Sequence, residues 1–132
     1  MRILLDTNAY SALKRGHGGV AALVRRSDEV LFSTVVAGEL LYGFRNGTRL
    51  AHNRRDLEAF LDSPFVTLVP VSLVTADRFS RVAQGLKAKG TPIPTNDIWI
   101  AAQAMETGAE LASFDRHFEY VYGLALAVID QA

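Results

Sequence analysis

Cysteine is absent from the 132 residues of this chain, and histidine is scarce. The chain therefore has no disulfide framework and no thiolate metal site, which is consistent with a cytoplasmic protein. The three histidines, His17, His52 and His117, are scattered, and we interpret each as a surface or at most a supporting residue. Any metal ion is consequently expected to bind carboxylate groups rather than a cluster rich in Cys or His.

Long hydrophobic runs are also missing. Asp6 interrupts the one apolar stretch near the start, so no signal peptide is predicted. No apolar run approaches the ~20 residues that a membrane-spanning helix needs. The composition, with 49% hydrophobic and 21% charged residues, is ordinary for a globular protein, and the length predicts a single compact domain over residues 1–132. We therefore expect a cytoplasmic protein with no membrane contact.

The chain has no net charge, but its charges are unevenly distributed. Residues 1–55 carry nine basic and four acidic side chains, whereas residues 56–132 carry five basic and ten acidic ones. A neutral total argues against a protein that coats nucleic acid indiscriminately. The polarity nevertheless allows a basic surface beside an acidic pocket.

Strand-like and helix-like segments alternate along the chain. The predicted strands are residues 2–5, 30–32, 65–71, 110–114 and 124–129. Four predicted helices are residues 7–15, 20–26, 50–61 and 73–89. A fifth is capped by Ser33 or Thr34 and runs to about Phe44. A sixth is capped by Thr95 and ends at Gly108. The apolar residues Val74, Phe79, Val82 and Leu86 are predicted to form the buried side of helix 73–89. This alternation predicts an α/β fold with a parallel sheet covered on both faces.

Four acids lie where such a sheet would direct them to one place. Asp6 and Asp115 directly follow predicted strands, Glu39 lies one turn into the helix after the second strand, and Asp97 opens another helix. Ligands of open α/β sheets bind outside the carboxyl ends of the strands. Acids gathered there repel one another unless a cation holds them, and carboxylate-rich sites suit Mg²⁺ or Mn²⁺. The pattern predicts a metal-dependent phosphoryl-transfer site.

Each acid alone has a simpler interpretation. Asp6 is a favourable helix N-cap, Asp97 gains from the dipole of its helix, and Asp115 suits an ordinary loop. Glu39 lacks such an explanation, because it stands on a largely apolar helix where a single charge needs a reason. The four acids together favour the metal site.

Four motifs extend this interpretation: LLDTN at the start, GELLYGF in the first half, then TNDIWIAA and SFDRHF. In this order and at these spacings they resemble a PIN-domain ribonuclease, most closely a VapC-type toxin of a bacterial type II toxin–antitoxin pair. The resemblance spans the whole chain. It implies a three-layer α/β/α sandwich around a short parallel sheet.

The resemblance also implies an activity and its residues. It implies an Mg²⁺-dependent endoribonuclease, with Mn²⁺ as a substitute, and its partners would be RNA, a cognate antitoxin protein and a second copy of the chain. The acids implied as catalytic are Asp6, Glu39, Asp97 and Asp115, of which Asp6, Asp97 and Asp115 are implied as metal ligands. The polar residues implied to support them are Thr7, Asn8 and Ser113.

The RNA would need positive charge near the acidic pocket. We predict contacts from basic residues in the segments that follow the first two strands: Lys14, Arg15, Arg45, Arg49, Arg54 and Arg55. A solvated helix face is the alternative for each of them.

The same residues argue against two other functions and leave a third open. An aspartyl phosphatase would need a second acid where Asn8 stands, and a receiver-like domain would need an acceptor Asp where the third strand ends in Val71. A carboxylate-rich module that binds a basic partner peptide without catalysis stays open.

Overall fold

The computed structural model describes residues 1–131 and contains one four-stranded parallel sheet in the order β3-β2-β1-β4. The strands are β1 (Arg2–Leu5), β2 (Glu29–Ser33), β3 (Val66–Val69) and β4 (Glu110–Ala112). The helices are α1 (Thr7–Lys14), α2 (Gly18–Arg26), α3 (Thr34–Arg45), α4 (Leu50–Leu61), α5 (Leu73–Lys89) and α6 (Thr95–Thr107), followed by a short 3₁₀ helix (Arg116–Tyr120). The predicted three-layer α/β/α fold is confirmed.

The helix boundaries follow from local chemistry, with one correction. Ser33, one of the two predicted caps, accepts a hydrogen bond from the backbone N–H of Val35 at 2.9 Å and so begins α3. Thr95 does not cap α6: it is the first helical residue, and Pro94 precedes it without a side-chain cap. Gly108 ends α6 at a φ of 69°, a conformation that glycine adopts without steric cost.

Two predicted strands are shorter in the structure than the sequence suggested. The prediction 65–71 shrinks to β3 (Val66–Val69). The prediction 110–114 shrinks to β4, because the Ser113 hydroxyl accepts a hydrogen bond from the Asp115 backbone N–H at 2.9 Å and bends the chain.

The predicted strand 124–129 is wrong. That segment forms a single parallel bridge between Leu126 and Leu111, supported by backbone hydrogen bonds of Leu111 with Ala125 and Ala127, each 2.9 Å long. Leu111 of β4 exchanges both of these hydrogen bonds with the segment, so the pairing is a single bridge, although β4 forms a three-residue ladder with β1 on its other side.

The core lies between the sheet and the helices. Ile3, Leu4 and Leu5 of β1 are fully buried, as expected for a central strand of a parallel sheet. In α5 the prediction is correct for Val82 and Leu86, and Phe79 packs partly buried against the core. It is wrong for Val74, which is 67% exposed.

Thr75 is the buried residue of the first turn of α5. Its hydroxyl donates to Glu106 of α6 at 2.6 Å, and this hydrogen bond fixes which side of the turn faces the neighbouring helix.

The sheet register brings three strand ends to one edge. Leu4 of β1 pairs with Leu31 of β2, and Leu5 pairs with Ala112 of β4. The residues that follow these strands, among them Asp6 and Ser113, therefore emerge side by side.

None of the helices within residues 1–131 combines the length and the apolar character that a membrane span requires.

Candidate metal centre

Asp6 is the most firmly held of the predicted site acids. Its side chain is buried, and its backbone N–H donates to the carbonyl of Ala112 at 3.2 Å. Oδ1 accepts from the backbone N–H of Ala9 at 2.9 Å, so Asp6 is also the N-cap of α1. Oδ2 accepts from the hydroxyl of Ser113, across the β1–β4 junction. The carboxylate that caps α1 is therefore also the carboxylate of the site, and hydrogen bonds hold both of its oxygens.

Glu39 is held by residues from two other elements. The hydroxyl of Thr7, at the start of α1, donates to Oε1 at 2.6 Å, and the side-chain amide of Asn96 donates to Oε2 at 3.3 Å. The half-buried charge of Glu39 on α3 is therefore stabilised, because both of its carboxylate oxygens accept hydrogen bonds. Asn96 was not among the predicted site residues. Its position beside Asp97 in the motif TNDIWIAA was the available signal.

His117 lies beside Asp97 and Asp115. Single ligand atoms of Asp97, Asp115 and His117 lie within 4.8 Å of one another. Nε2 of His117 is 2.7 Å from Oδ2 of Asp97. The sequence predicts a surface or at most a supporting role for His117, whereas the structure places its ring in the acidic cluster. The motif SFDRHF contained the signal, since His117 follows Asp115 by two residues.

The electrostatics of the acids reflect their proximity. Burial raises the pKa of Asp6 above its usual value, and the negative charges of Asp115 and Asp97 raise it further, against the hydrogen bonds from Ser113 and Ala9. Burial also raises the pKa of Asp97, and so do the charges of Glu39 and Asp115, whereas His117 lowers it. Asp6 and Asp97 are therefore each close enough to other predicted acids to be affected by their charge, and a cation among the acids would relieve this repulsion.

The donor set fits a divalent cation. It consists of carboxylates, with one imidazole beside them, and hydroxyls of Ser113 and Thr7 orient two of the carboxylates. Hard cations such as Mg²⁺ and Mn²⁺ bind through carboxylate oxygens and water. Of the three predicted supporting residues, Thr7 and Ser113 contact site acids, and Asn8 has an exposed side chain.

The predicted RNA-binding residues are all exposed, and two of them lie at the far end of α1. Lys14 follows Asp6 by eight residues, which is about 12 Å along a helix. Its Nζ lies 5.7 Å from the ring centre of Tyr10 and 5.6 Å from that of Phe60, so it packs against α4. The structure does not bring Lys14 to the acids.

Comparison with known proteins gives a consistent result. A family model described as PIN domain matches residues 3–124. No curated protein sequence matches the chain.

Several solved structures share the fold. A structure of VapBC-5 from Mycobacterium tuberculosis, a member of the VapBC family of toxin–antitoxin systems, is 26% identical, with a TM-score of 0.74 over 97% of each chain. VapC20 from Mycobacterium tuberculosis, described as a sarcin–ricin loop cleaving toxin, is 25% identical, with a TM-score of 0.69 over 95% of this chain and 98% of that one. VapBC2 from Rickettsia felis, bound to a DNA fragment of its promoter, is 24% identical, with a TM-score of 0.85 over 98% of this chain and 100% of that one.

Proposed function

The chain belongs to the PIN domain family, and from this premise we propose that it is a metal-dependent endoribonuclease, a VapC-type toxin of a toxin–antitoxin pair. The observation that carries the proposal is the convergence of Asp6, Glu39, Asp97 and Asp115 at one edge of the sheet, where burial and the neighbouring acids raise the pKa of Asp6 and of Asp97. Similarity to VapC20, described as a sarcin–ricin loop cleaving toxin, supports the same activity.

The side chains divide the work of such a site. Asp6, Asp97 and Asp115 would hold Mg²⁺, or Mn²⁺ in its place. When bound, the ion neutralises the scissile phosphate and lowers the pKa of a water. Hydrogen bonds from the Ala9 backbone N–H and the Ser113 hydroxyl hold both oxygens of Asp6. Glu39, oriented by Thr7 and Asn96, is assigned to accept a proton from the attacking water.

The partners follow from the same comparisons. Several similar structures contain a toxin with its antitoxin, which supports a cognate antitoxin for this chain. We also propose a homodimer, as the family resemblance implies, and a cytoplasmic location.

A carboxylate-rich module that only binds a basic peptide is the second candidate, since the acidic cluster would suit it equally well. Cleavage of RNA by the purified chain separates the two functions. We expect cleavage with Mg²⁺ and none in excess EDTA, because the acids alone supply no Lewis acid. Cleavage that persists in excess EDTA would contradict the metal-dependent mechanism. Tight binding of a basic peptide without any cleavage would favour the module.

We further propose that RNA phosphates contact the basic residues of α1, α3 and α4. Charge reversal in Lys14 and Arg15, in Arg45 and Arg49, or in Arg54 and Arg55 should weaken RNA binding. Each lost phosphate contact should reduce the log–log salt slope by about 0.7, the value for single strands. Binding is measured against salt concentration in Ca²⁺, which suppresses cleavage.

A matched control uses Arg25 and Arg26, which are exposed in the last turn of α2. They precede β2, so they lie toward the sheet edge opposite the acids. Their reversal should leave the slope unchanged. An unchanged slope in all three test pairs would place the RNA path on another surface.

A further inference from the structure

His117 differs from the other two histidines in its surroundings. Nδ1 of His17 accepts a hydrogen bond from the backbone N–H of Val20 at 3.2 Å, so His17 serves as the cap of α2. His52 pairs with Asp56 on the exposed face of α4, at 3.3 Å. His117 alone, of these three, has its ring nitrogen among two carboxylates, those of Asp97 and Asp115. Its side chain is 27% exposed and that of Asp97 is 16% exposed.

The imidazole is held in place rather than left free in solvent. It lies on the 3₁₀ helix, whose Phe118 is fully buried, and the two rings are 4.8 Å apart. The start of this helix is fixed as well, because the Asp115 backbone N–H donates to Ser113, which in turn donates to Asp6. Hydrogen bonds therefore connect Asp6, Ser113 and Asp115, and His117 lies two residues after Asp115 on the 3₁₀ helix.

The spacing of the donor atoms suits one ion. Neighbouring ligands of an octahedral ion with bonds of about 2.1 Å lie about 3 Å apart, and opposite ligands about 4 Å apart. Nε2 of His117 and Oδ2 of Asp97 are 2.7 Å apart, and the three ligand atoms lie within 4.8 Å of one another. Small side-chain adjustments would bring all three onto a common ion.

We propose that Nε2 of His117 is itself a ligand of the metal ion, together with Asp97 and Asp115. The inference rests on the proposed metal-dependent function and deepens it, since one nitrogen among oxygen ligands changes which metals the site prefers. Imidazole binds Co²⁺, Ni²⁺ and Zn²⁺ better than it binds Mg²⁺, which favours oxygen. His117 is therefore a residue that determines metal selectivity in this chain.

Pulsed EPR of Mn²⁺ bound to the full chain tests the proposal directly. The wild-type complex should show modulation from a directly bound nitrogen. His117→Gln should lose this modulation, and the matched control His52→Gln should keep it. Labelling the wild-type chain with ¹⁵N-histidine should change the nitrogen signal to that of ¹⁵N, so the test does not depend on a variant that folds.

Metal titration gives a second readout that is independent of activity. The ratio of Co²⁺ to Mg²⁺ affinity should fall about tenfold or more in His117→Gln and stay within twofold in His52→Gln. Bound Mn²⁺ without nitrogen modulation, or an unchanged ratio, would overturn the proposal and leave His117 as a residue that only positions Asp97. If the wild-type chain gives either of these results but still cleaves RNA, the proposed function stands and only the role of His117 as a metal ligand is wrong. A chain that binds no Mn²⁺ and cleaves no RNA contradicts both proposals.

Discussion

Replacing Asp6 or Asp97 with Asn should abolish metal-dependent RNA cleavage, with a rate loss of roughly a thousandfold or more. Each substitution removes a charge that would hold the ion, while it keeps nearly the same side-chain shape. In Asp6→Asn, the side-chain amide still has an oxygen for the Ala9 N–H and a donor group for the Ser113 hydroxyl. The measurement is the single-turnover cleavage rate at saturating Mg²⁺.

The matched control is Asp77→Asn, because Asp77 is an exposed acid of α5 that pairs with Arg81. It should cleave at the wild-type rate. Full activity in Asp6→Asn would show that the proposed mechanism is wrong.

Thermal stability separates a functional role of Asp6 from a structural one. The pKa of Asp6 is raised in the fold, so the folded chain retains a proton that the unfolded chain loses above about pH 4. The contribution of Asp6 to the free energy of unfolding therefore falls as pH rises from about pH 4 toward the raised pKa of the folded state. In EDTA, Asp6→Asn should have a higher Tm than the wild type at pH 7, and the difference should shrink toward pH 4. A substantially lower Tm in the variant would make Asp6 structural.

Complete inhibition by a cognate antitoxin is the second large effect that we expect. The acidic cluster would receive an Arg or Lys from the antitoxin, and an Arg guanidinium can pair with a carboxylate through two hydrogen bonds. Antitoxin and metal should therefore compete for the same carboxylates. At a Mg²⁺ concentration ten times its dissociation constant, the apparent Kd of the antitoxin should rise about elevenfold. Titration calorimetry with and without Mg²⁺ measures this change.

The Asp6→Asn variant provides the control for competition. It should bind Mg²⁺ weakly, so its affinity for the antitoxin should depend much less on Mg²⁺ than the wild-type affinity does. An antitoxin that binds equally well with and without Mg²⁺, and that leaves cleavage intact, would show that it does not enter the acidic site.

The order of the elements, and the meeting of the predicted acids at one place, could be predicted from the amino acids alone. The apolar residues of β1 and the helical periodicity of 50–61 and 73–89 are local patterns, and the structure has both helices at these bounds. The meeting of the acids at one edge of the sheet was also predictable, from their positions after the strands. Asp6 and Asp115 follow strands of a parallel sheet, and the carboxyl ends of such strands share one edge.

The hydrogen bonds that hold these residues could not be predicted, because they form between segments that are distant in sequence. The Ser113–Asp6 hydrogen bond joins residues 107 positions apart, and the Asn96–Glu39 hydrogen bond joins residues 57 positions apart. Local periodicity carries no information about such pairs. The predicted strand 124–129 was wrong for a similar reason, because the extent of its pairing with β4 is a tertiary contact that its own sequence does not encode. His117 looked isolated along the chain, yet the turn after β4 places its ring 2.7 Å from Asp97, since folding brings the 3₁₀ helix against the start of α6.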